Sequence, residues 1–291
     1  MPRSIFCIIW LLLGLQALPQ VAPRHFVTFA PIGSARAAEA WLEDLEQALL
    51  LPELLAAVQD EGRAYGRDLD DQFLAGNGGS SWHAEVARIY DPARLRPIVH
   101  GVLQAELADR PGDIAAMIGF FRSDLGERIV TLELSARRAL QDDAIEEAAH
   151  ATLDRMDANN DARLRLLRDY VTQNDLVELN VVSALNANMA FLRALSLASG
   201  GDRMPEVEIL AQVRAQEEEM RRDTDRWMMT FASLAYAPLT DDELRAYADF
   251  SRTEAGVALN NALFSAFDTV FSQVSGDLGK AVGRWIAGTN L

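Results

Sequence analysis

The chain has 291 residues and a formal net charge of −16 at pH 7, from 43 acidic residues against 27 lysines and arginines. This excess of acids argues against nucleic acid and anionic lipid as partners, because both reward positive charge on a protein. The single cysteine, Cys7, lies close to the N-terminus, so the rest of the chain has no thiol for a disulfide or for nucleophilic catalysis.

The N-terminus has the pattern of a secretory signal. Arg3 supplies a positive charge, and an almost unbroken apolar run follows over residues 5–15. A membrane-spanning helix needs about 20 apolar residues, so this run has the length of a signal-peptide core. Small residues suit cleavage after Ala37 or after Ala17. We favour Ala37, because an acidic, helix-like sequence begins at Glu39.

These features predict an exported protein that resides in the periplasm with its signal peptide removed. An uncleaved anchor is the alternative, since residues 18–32 are also rather apolar. Cleavage after Ala37 removes three arginines and no acid, which brings the net charge to −19. We then expect no integral membrane segment in the mature chain.

The rest of the chain is dense in helix signals and almost devoid of strand signals. Asp91-Pro92 predicts a capped helix start, and Thr240 with Glu243 predicts a capping box. The stretch 74–81, which is rich in glycine, predicts a flexible loop. The fold class is therefore all-α, a multi-helix bundle. The predicted helices span residues 52–74, 91–108, 113–122, 124–156, 162–173, 175–198, 205–236, 240–251 and 254–287.

An internal repeat is the most informative pattern. Residues 114–137 resemble residues 244–267, at an offset of 130 positions. We interpret this as a tandem duplicated helical unit. The predicted organisation is a signal peptide over 1–37, a first helical repeat over 38–157 and a second over 158–291, with the two repeats packed as one globule.

The repeated residues have the spacing of a helix–helix corner. The serine or threonine can cap the second helix, while the glycine in its first turn permits close approach of a crossing helix. The phenylalanine would fill the angle between the two helices. A structural role is therefore predicted for eight residues, which are Phe120, Arg122, Ser123 and Gly126 in the first copy and Phe250, Arg252, Thr253 and Gly256 in the second.

This F-x-x-[ST]-x-x-G pattern, with an acid-rich cap before it, resembles the bacterial domain-of-unknown-function family 2059. The closer copy covers residues 236–271 and the more degenerate one residues 113–140. Asp124 and Glu254 stand where the family hallmark has proline, and an acid suits the first turn of a helix nearly as well. The resemblance implies a small exported helical protein and no particular chemistry.

The candidate chemical motifs each lack a required part. Glu147 and His150 have the spacing of a di-iron ligand pair, but no second such pair follows. Residues 157–161 begin like a calcium loop that then lacks its glycine and its final glutamate. The glycines of residues 76–81 come without the lysine of a phosphate loop. The sequence therefore predicts no catalytic residue, no bound metal and no cofactor.

One polar stripe is the sequence's best candidate for a ligand site. The segment 175–198 is apolar almost all round, which predicts a central buried helix. Asn180, Ser183 and Asn186 recur within it every three residues. Such polar groups either hydrogen-bond to a neighbouring helix or line a ligand cavity, in the second case with Glu178 or Tyr65.

The leading functional prediction is a non-enzymatic periplasmic helical protein that binds a partner protein, such as an envelope protein, or a small ligand. The alternative is an enzyme that acts on an envelope polymer by carboxylate acid–base chemistry, which leaves no short motif. Two carboxyl groups about 5–10 Å apart in one cleft would favour the enzyme.

Overall fold

The computed structural model describes residues 32–201 and 203–288, with side chains described from residue 40 onward. These residues form an all-α, multi-helix bundle with no strand among them. A short π-helical turn, Asp70–Leu74, continues the second helix. The helices are α1 (Ile32–Ala48), α2 (Leu51–Leu69), α3 (Gly79–Ile89), α4 (Pro92–Leu107), α5 (Pro111–Phe121), α6 (Asp124–Ala139), α7 (Asp143–Ala158), α8 (Ala162–Gln173), α9 (Leu176–Ala198), α10 (Glu206–Ala215), α11 (Glu217–Ala235), α12 (Asp241–Ser251) and α13 (Glu254–Ile286).

The capping residues begin helices where the sequence predicts. The Asp91 carboxylate accepts a hydrogen bond from the backbone N–H of Ala93 and so caps α4. Thr240 and Glu243 form the predicted capping box at the start of α12. Each such cap satisfies an N–H that has no partner within the helix and stabilises the fold by about 1 kcal/mol.

Two predicted long helices are each divided in the structure. The predicted helix 124–156 breaks after Leu140, and the Asp142 carboxylate caps α7 by accepting from the N–H of Ala144. The predicted helix 205–236 breaks at Gln216, whose side-chain oxygen accepts a hydrogen bond from Asn188 at 2.9 Å. Neither break contains proline or glycine, so the sequence has no helix-breaking residue at either point.

The predicted glycine-rich loop is a short turn fastened to α2. The backbone N–H of Gly78 donates to the buried carboxylate of Asp70 at 2.9 Å. The side chain of Asn77 donates to the carbonyl oxygens of Leu74 and Ala75, both at 3.1 Å. Helix α3 then begins at Gly79, inside the segment predicted as loop.

Helices α9 and α13 run parallel at the centre of the bundle. A Cβ atom on Gly279 would lie 2.2 Å from the backbone oxygen of Phe191, and one on Gly283 would lie 2.9 Å from that of Leu195. The contacts advance in the same direction along both helices, and the two backbones touch where α13 has glycine. This close pair positions α9 between α13, α11, α10 and α8.

A single cluster of buried apolar side chains runs through the whole bundle. It includes residues from every described helix except α10, and both predicted repeats contribute to it. Its largest fully buried side chains include Trp82, Tyr90, Tyr170, Tyr236 and Tyr247. The two predicted repeats therefore share one core.

One of the described helices, α9, is long and apolar enough to cross a membrane by length and composition. About 33% of its most apolar window is buried. One such helix is by itself weak evidence of a membrane segment.

The predicted signal peptide lies mostly outside the described residues, as does the alternative cleavage site at Ala17. Ala37 falls in the first turns of α1. Among the side chains described for α1, Leu42 and Leu45 are fully buried, and both follow Ala37 in the sequence.

Candidate functional site

The first predicted corner joins α5 to α6. The Ser123 hydroxyl donates to the backbone oxygen of Phe120 at 2.6 Å and accepts from the N–H of Gly126 at 3.1 Å. A Cβ atom on Gly126 would lie 2.1 Å from that same Phe120 oxygen. The glycine therefore lets the end of α5 touch the first turn of α6. Arg122 donates to Asp44 on α1 at 2.8 Å.

The second corner, between α12 and α13, repeats these contacts. The Thr253 hydroxyl donates to the backbone oxygen of Phe250 at 2.7 Å and accepts from the N–H of Gly256 at 3.0 Å. A Cβ atom on Gly256 would lie 2.2 Å from the Phe250 oxygen. Arg252 donates to Gln173 on α8 at 3.2 Å. Each corner arginine thus reaches a helix outside its own corner.

The two corners meet through their phenylalanines. The rings of Phe120 and Phe250 stack with centroids 3.9 Å apart and an angle of 6° between their planes. Phe121 packs edge-on against Phe250 at 5.5 Å. Aromatic pairs of this kind add about 0.5–1.5 kcal/mol beyond the area that they bury, so Phe120 and Phe250 stabilise the contact between the two corners.

The polar stripe of α9 is divided between two environments. Ser183 and Asn186 donate to the same oxygen of Asp268 on α13, at 2.8 and 3.1 Å. Asn180 is buried and donates to the backbone oxygen of Leu176 at 2.7 Å, while its side-chain oxygen has no partner among the described residues. The structure thus joins two of the three residues to α13 and directs the third toward Met228 on α11.

The other two candidate lining residues lie apart from that stripe. Glu178 is exposed and forms an ion pair with Arg221 on α11. The Tyr65 hydroxyl on α2 is buried without a partner among the described residues, and burial raises the pKa of this phenol. Asn188, which the sequence reading missed, is buried and bonds Gln216. The sequence did contain a signal for Asn188, because it is a polar residue within the same apolar segment 175–198.

Glu178 lines an open groove between α8, α9 and α11. The groove has a volume of about 470 Å³, which is within the range of roughly 300–1,000 Å³ that small-molecule sites occupy. Its floor includes Val171, which is buried, and Val177, which is half-buried. The lining residues are Val171, Thr172, Asp175, Val177, Glu178, Arg221, Arg222 and Asp225.

The turn between α8 and α9 forms one end of this groove. Asp175 has a left-handed backbone conformation, with φ 48°, which aspartate adopts at less cost than most residues. Asn174 beside it is buried, donates to the backbone oxygen of Tyr170 at 2.8 Å and accepts from Ser251 at 3.2 Å. These bonds fix the turn to α8 and α12, so that this end of the groove is rigid.

The walls of the groove carry charges of both signs. Arg221 on α11 pairs with Glu178 on α9. It also pairs with Glu217, one turn earlier on α11, at 2.9 Å. Arg222 pairs with Glu218 at 3.4 Å. Most of these side chains are at least one-third exposed, and exposed ion pairs are individually weak. A charged ligand can therefore replace one partner of such an ion pair at little cost in free energy.

Among the described residues, Glu133 has a carboxyl group with a strongly raised pKa, which the sequence analysis did not predict. Its Oε1 atom accepts from the hydroxyls of Tyr236 at 2.7 Å and Tyr247 at 3.1 Å. Burial raises the pKa of Glu133 to about 7, and the two hydrogen bonds oppose that rise. Burial, and then the charge of Glu133, raise the pKa of both phenols, so they remain protonated donors.

Two further carboxylates, the half-buried Glu61 and the buried Glu46, have basic partners. Glu61 forms two hydrogen bonds of 2.7 Å with the buried Arg137. Burial raises the pKa of Glu61 in spite of this arginine. Glu46 accepts from Arg96 and bonds His100, both at 2.9 Å. These groups lie on different helices and fix contacts between them.

The two remaining sequence motifs have ordinary structural surroundings. The ring of His150 bonds the Thr230 hydroxyl at 2.9 Å and approaches Glu146, not Glu147, at 3.9 Å. The segment 157–161 comprises the end of α7 and the turn that leads to α8. Its Asp161 carboxylate caps α8 by accepting from the N–H of Arg163 at 2.8 Å.

Fold and groove together define an all-α helical bundle protein with an open, charged groove. Residues 93–154, from α4 to α7, match the model of a family described as an uncharacterized protein conserved in bacteria (DUF2059). The family predicted from the corner motif is thus confirmed. The matched segment contains the predicted copy over 113–140. It does not include the predicted copy over 236–271, whose sequence is closer to the family hallmark. No curated protein and no solved structure matches the chain.

Proposed function

We propose that this protein is an exported, non-enzymatic binding protein of the bacterial envelope. In this proposal it holds a partner protein or a small charged ligand in the groove between α8, α9 and α11. The observation that carries the proposal is the groove itself, about 470 Å³ in volume, with a partly apolar floor and exposed charges of both signs on its walls.

Export to the periplasm is part of the proposal. It is supported by Arg3 and the apolar run over residues 5–15. Cleavage after Ala37 would leave Leu42 and Leu45, two fully buried residues of α1, within the mature chain. The cleaved protein would also keep the hydrogen bonds from Arg96 to Glu46 and from Arg122 to Asp44 of α1.

We also propose that the bundle arose by tandem duplication, with repeats over 38–157 and 158–291. Support comes from the matching contacts of the two corners. It comes as well from left-handed residues at the same place in each half, Leu50 before α2 and Asp175 before α9. The helix pairs α1–α2, α2–α4 and α2–α6 also have counterparts in α8–α9, α9–α11 and α9–α13.

The enzymatic alternative would rest on Glu133, whose pKa near 7 suits a general acid. Two phenol hydroxyls occupy the same oxygen of this carboxyl group, however, and aromatic rings surround them. This arrangement favours a structural role for Glu133. The binding proposal therefore takes precedence.

Site-specific crosslinking in producing cells tests the groove. A photoreactive amino acid at Thr172, an exposed groove residue, is compared with the same amino acid at Thr131, which is equally exposed on α6. We expect a discrete adduct from position 172 and none from position 131. The substitution R221Q, which removes an arginine from the groove wall, should weaken the adduct.

The arginine variant has its own control on the same helix. Arg226 pairs with Asp154 on α7 and does not line the groove, so R226Q should leave the adduct unchanged. Equal adducts from positions 172 and 131, or none from either, would contradict the assignment of the binding site to this groove.

A further inference from the structure

A second cavity, of about 200 Å³, lies between α2 and α3. Arg63 and Arg67 line it from α2, and His83 lines it from α3. Gly66 and Val86 form its floor. It is separate from the groove described above, with which it shares no lining residue.

The floor of this cavity is rigid. The indole N–H of Trp82 donates to the backbone oxygen of Gly66 at 2.6 Å. A Cβ atom on Gly66 would lie 2.6 Å from a methyl group of Val86, so the two helices touch at this point. The side chains above the floor are therefore held at a fixed spacing by their helices.

The basic side chains above the floor are poorly neutralised. Arg63 and Arg67 are one turn apart on α2, where like charges repel. Among the described residues Arg63 pairs with Asp60 alone, at 3.2 Å, and both side chains are at least half exposed. Arg67 and His83 have no hydrogen-bond or ion-pair partner in the described part of the chain. An anion placed between them would relieve the repulsion.

We infer that this cavity, lined by Arg63, Arg67 and His83, is a binding site for a small oxyanion, a phosphate or carboxylate group. The planar guanidinium group donates two parallel hydrogen bonds to either kind of anion. The volume admits a single such group and is below that of drug-sized sites. The inference is independent of the proposed function, because it concerns another part of the molecule.

The phosphate could be a free solute or the headgroup of a lipid. The net charge of −16 opposes approach to an anionic membrane surface, so a free solute is the expected source. Both sources have the same chemistry at the cavity, and the test includes both.

Isothermal titration calorimetry of the purified protein with inorganic phosphate at low ionic strength tests the inference. We expect one phosphate per chain, and binding weaker by about tenfold or more in R63Q/R67Q. The control R138Q/R214Q removes two exposed arginines on α6 and α10 and should bind as the wild type does. Circular dichroism of each variant checks that it is folded.

The second measurement is sedimentation of the protein with vesicles of phosphatidylglycerol. Phosphate binding without sedimentation on vesicles assigns the anion to a free solute. Sedimentation that R63Q/R67Q abolishes assigns it to a lipid headgroup. Absence of binding to either probe, or equal binding by the two double variants, would overturn the inference.

Discussion

Gly126 and Gly256 occupy positions where any side chain would strike the backbone. A Cβ atom would lie 2.1 or 2.2 Å from a carbonyl oxygen of the preceding helix, a distance that requires the two helices to separate. By helix propensity alone, a glycine in the first turn of a helix lowers the stability of that helix relative to alanine. The structure shows that it permits the sharp corner.

We expect G126A and G256A each to lower the free energy of unfolding by about 1–3 kcal/mol, the usual cost of overpacking. Gly119 is the matched control, since it lies within α5 with no atom close to an added Cβ. G119A should raise stability by roughly 0.5–1 kcal/mol, because alanine favours the helix. Chemical denaturation measures all three. Equal effects at the three positions would contradict the account of the corners.

Glu133 illustrates a residue whose role no local pattern reveals. It lies on an amphipathic helix where a lone glutamate normally faces solvent. Its partners, Tyr236 and Tyr247, are more than 100 positions away. Only the packing of α6 against α11 and α12 brings the three together.

The raised pKa of Glu133 predicts a pH dependence of stability. Between its ordinary value of 4.5 and its folded value of about 7, the folded state binds more protons at this residue than the unfolded state. Its contribution to stability is therefore full below pH 4.5 and is lost as the pH rises through 7. The loss amounts to about 3 kcal/mol.

The variant E133Q cannot lose a proton there. As the pH rises from 4 to 8, the free energy of unfolding of E133Q should increase by roughly 3 kcal/mol relative to that of the wild type. Urea denaturation across this range measures the difference. Glu147 is exposed on α7, and E147Q serves as the control. A wild type and E133Q that respond identically to pH would refute the burial of a protonated Glu133.

At the scale of elements, two helix starts were predictable, one with a cap followed by proline and one with a capping box. The starts of α4 and α12 follow from Asp91 and Thr240, whose side chains satisfy local N–H groups. The breaks at Leu140 and Gln216 were not predictable from turn residues. They depend on a cap at Asp142 within an acidic run and on a bond from Asn188 of another helix.

The candidate site was predicted in part. Periodicity identified α9 and the residues that share its faces, but a single helix does not reveal which neighbour each face meets. Ser183 and Asn186 bond Asp268 on α13, whereas Glu178 lines the groove and pairs there with Arg221. The groove itself needs three helices, and the sequence contains no signal for their arrangement.

The α9–α13 contact gives a prediction for a pair of helices. A Cβ atom on Gly279 would lie 2.2 Å from the Phe191 oxygen, whereas one on Gly276 would lie 4.0 Å from that of Ala190, an ordinary contact. G279A should therefore destabilise the protein by about 1–3 kcal/mol. G276A, one turn earlier, should be neutral or stabilising by up to about 1 kcal/mol. Thermal unfolding measures both variants. Equal shifts of the two unfolding midpoints would contradict this packing.

At the scale of the whole molecule, one continuous core joins the two predicted repeats. The corners contact each other through Phe120 and Phe250, and Glu133 in the first half bonds tyrosines of the second. The bundle therefore presents its surface features, the charged groove and the basic cavity, on a rigid frame. Rigid frames of this kind suit binding, because little ordering is needed when a ligand arrives.

We propose that this protein is exported and binds a ligand or partner in the groove between α8, α9 and α11. Native mass spectrometry of the protein purified from the periplasm of producing cells tests it most directly. We expect a chain that begins at Ala38, together with a discrete added mass that denaturation removes and that R221Q diminishes. A full-length chain retained in the cytoplasm, or an added mass that R221Q leaves unchanged, would contradict the account.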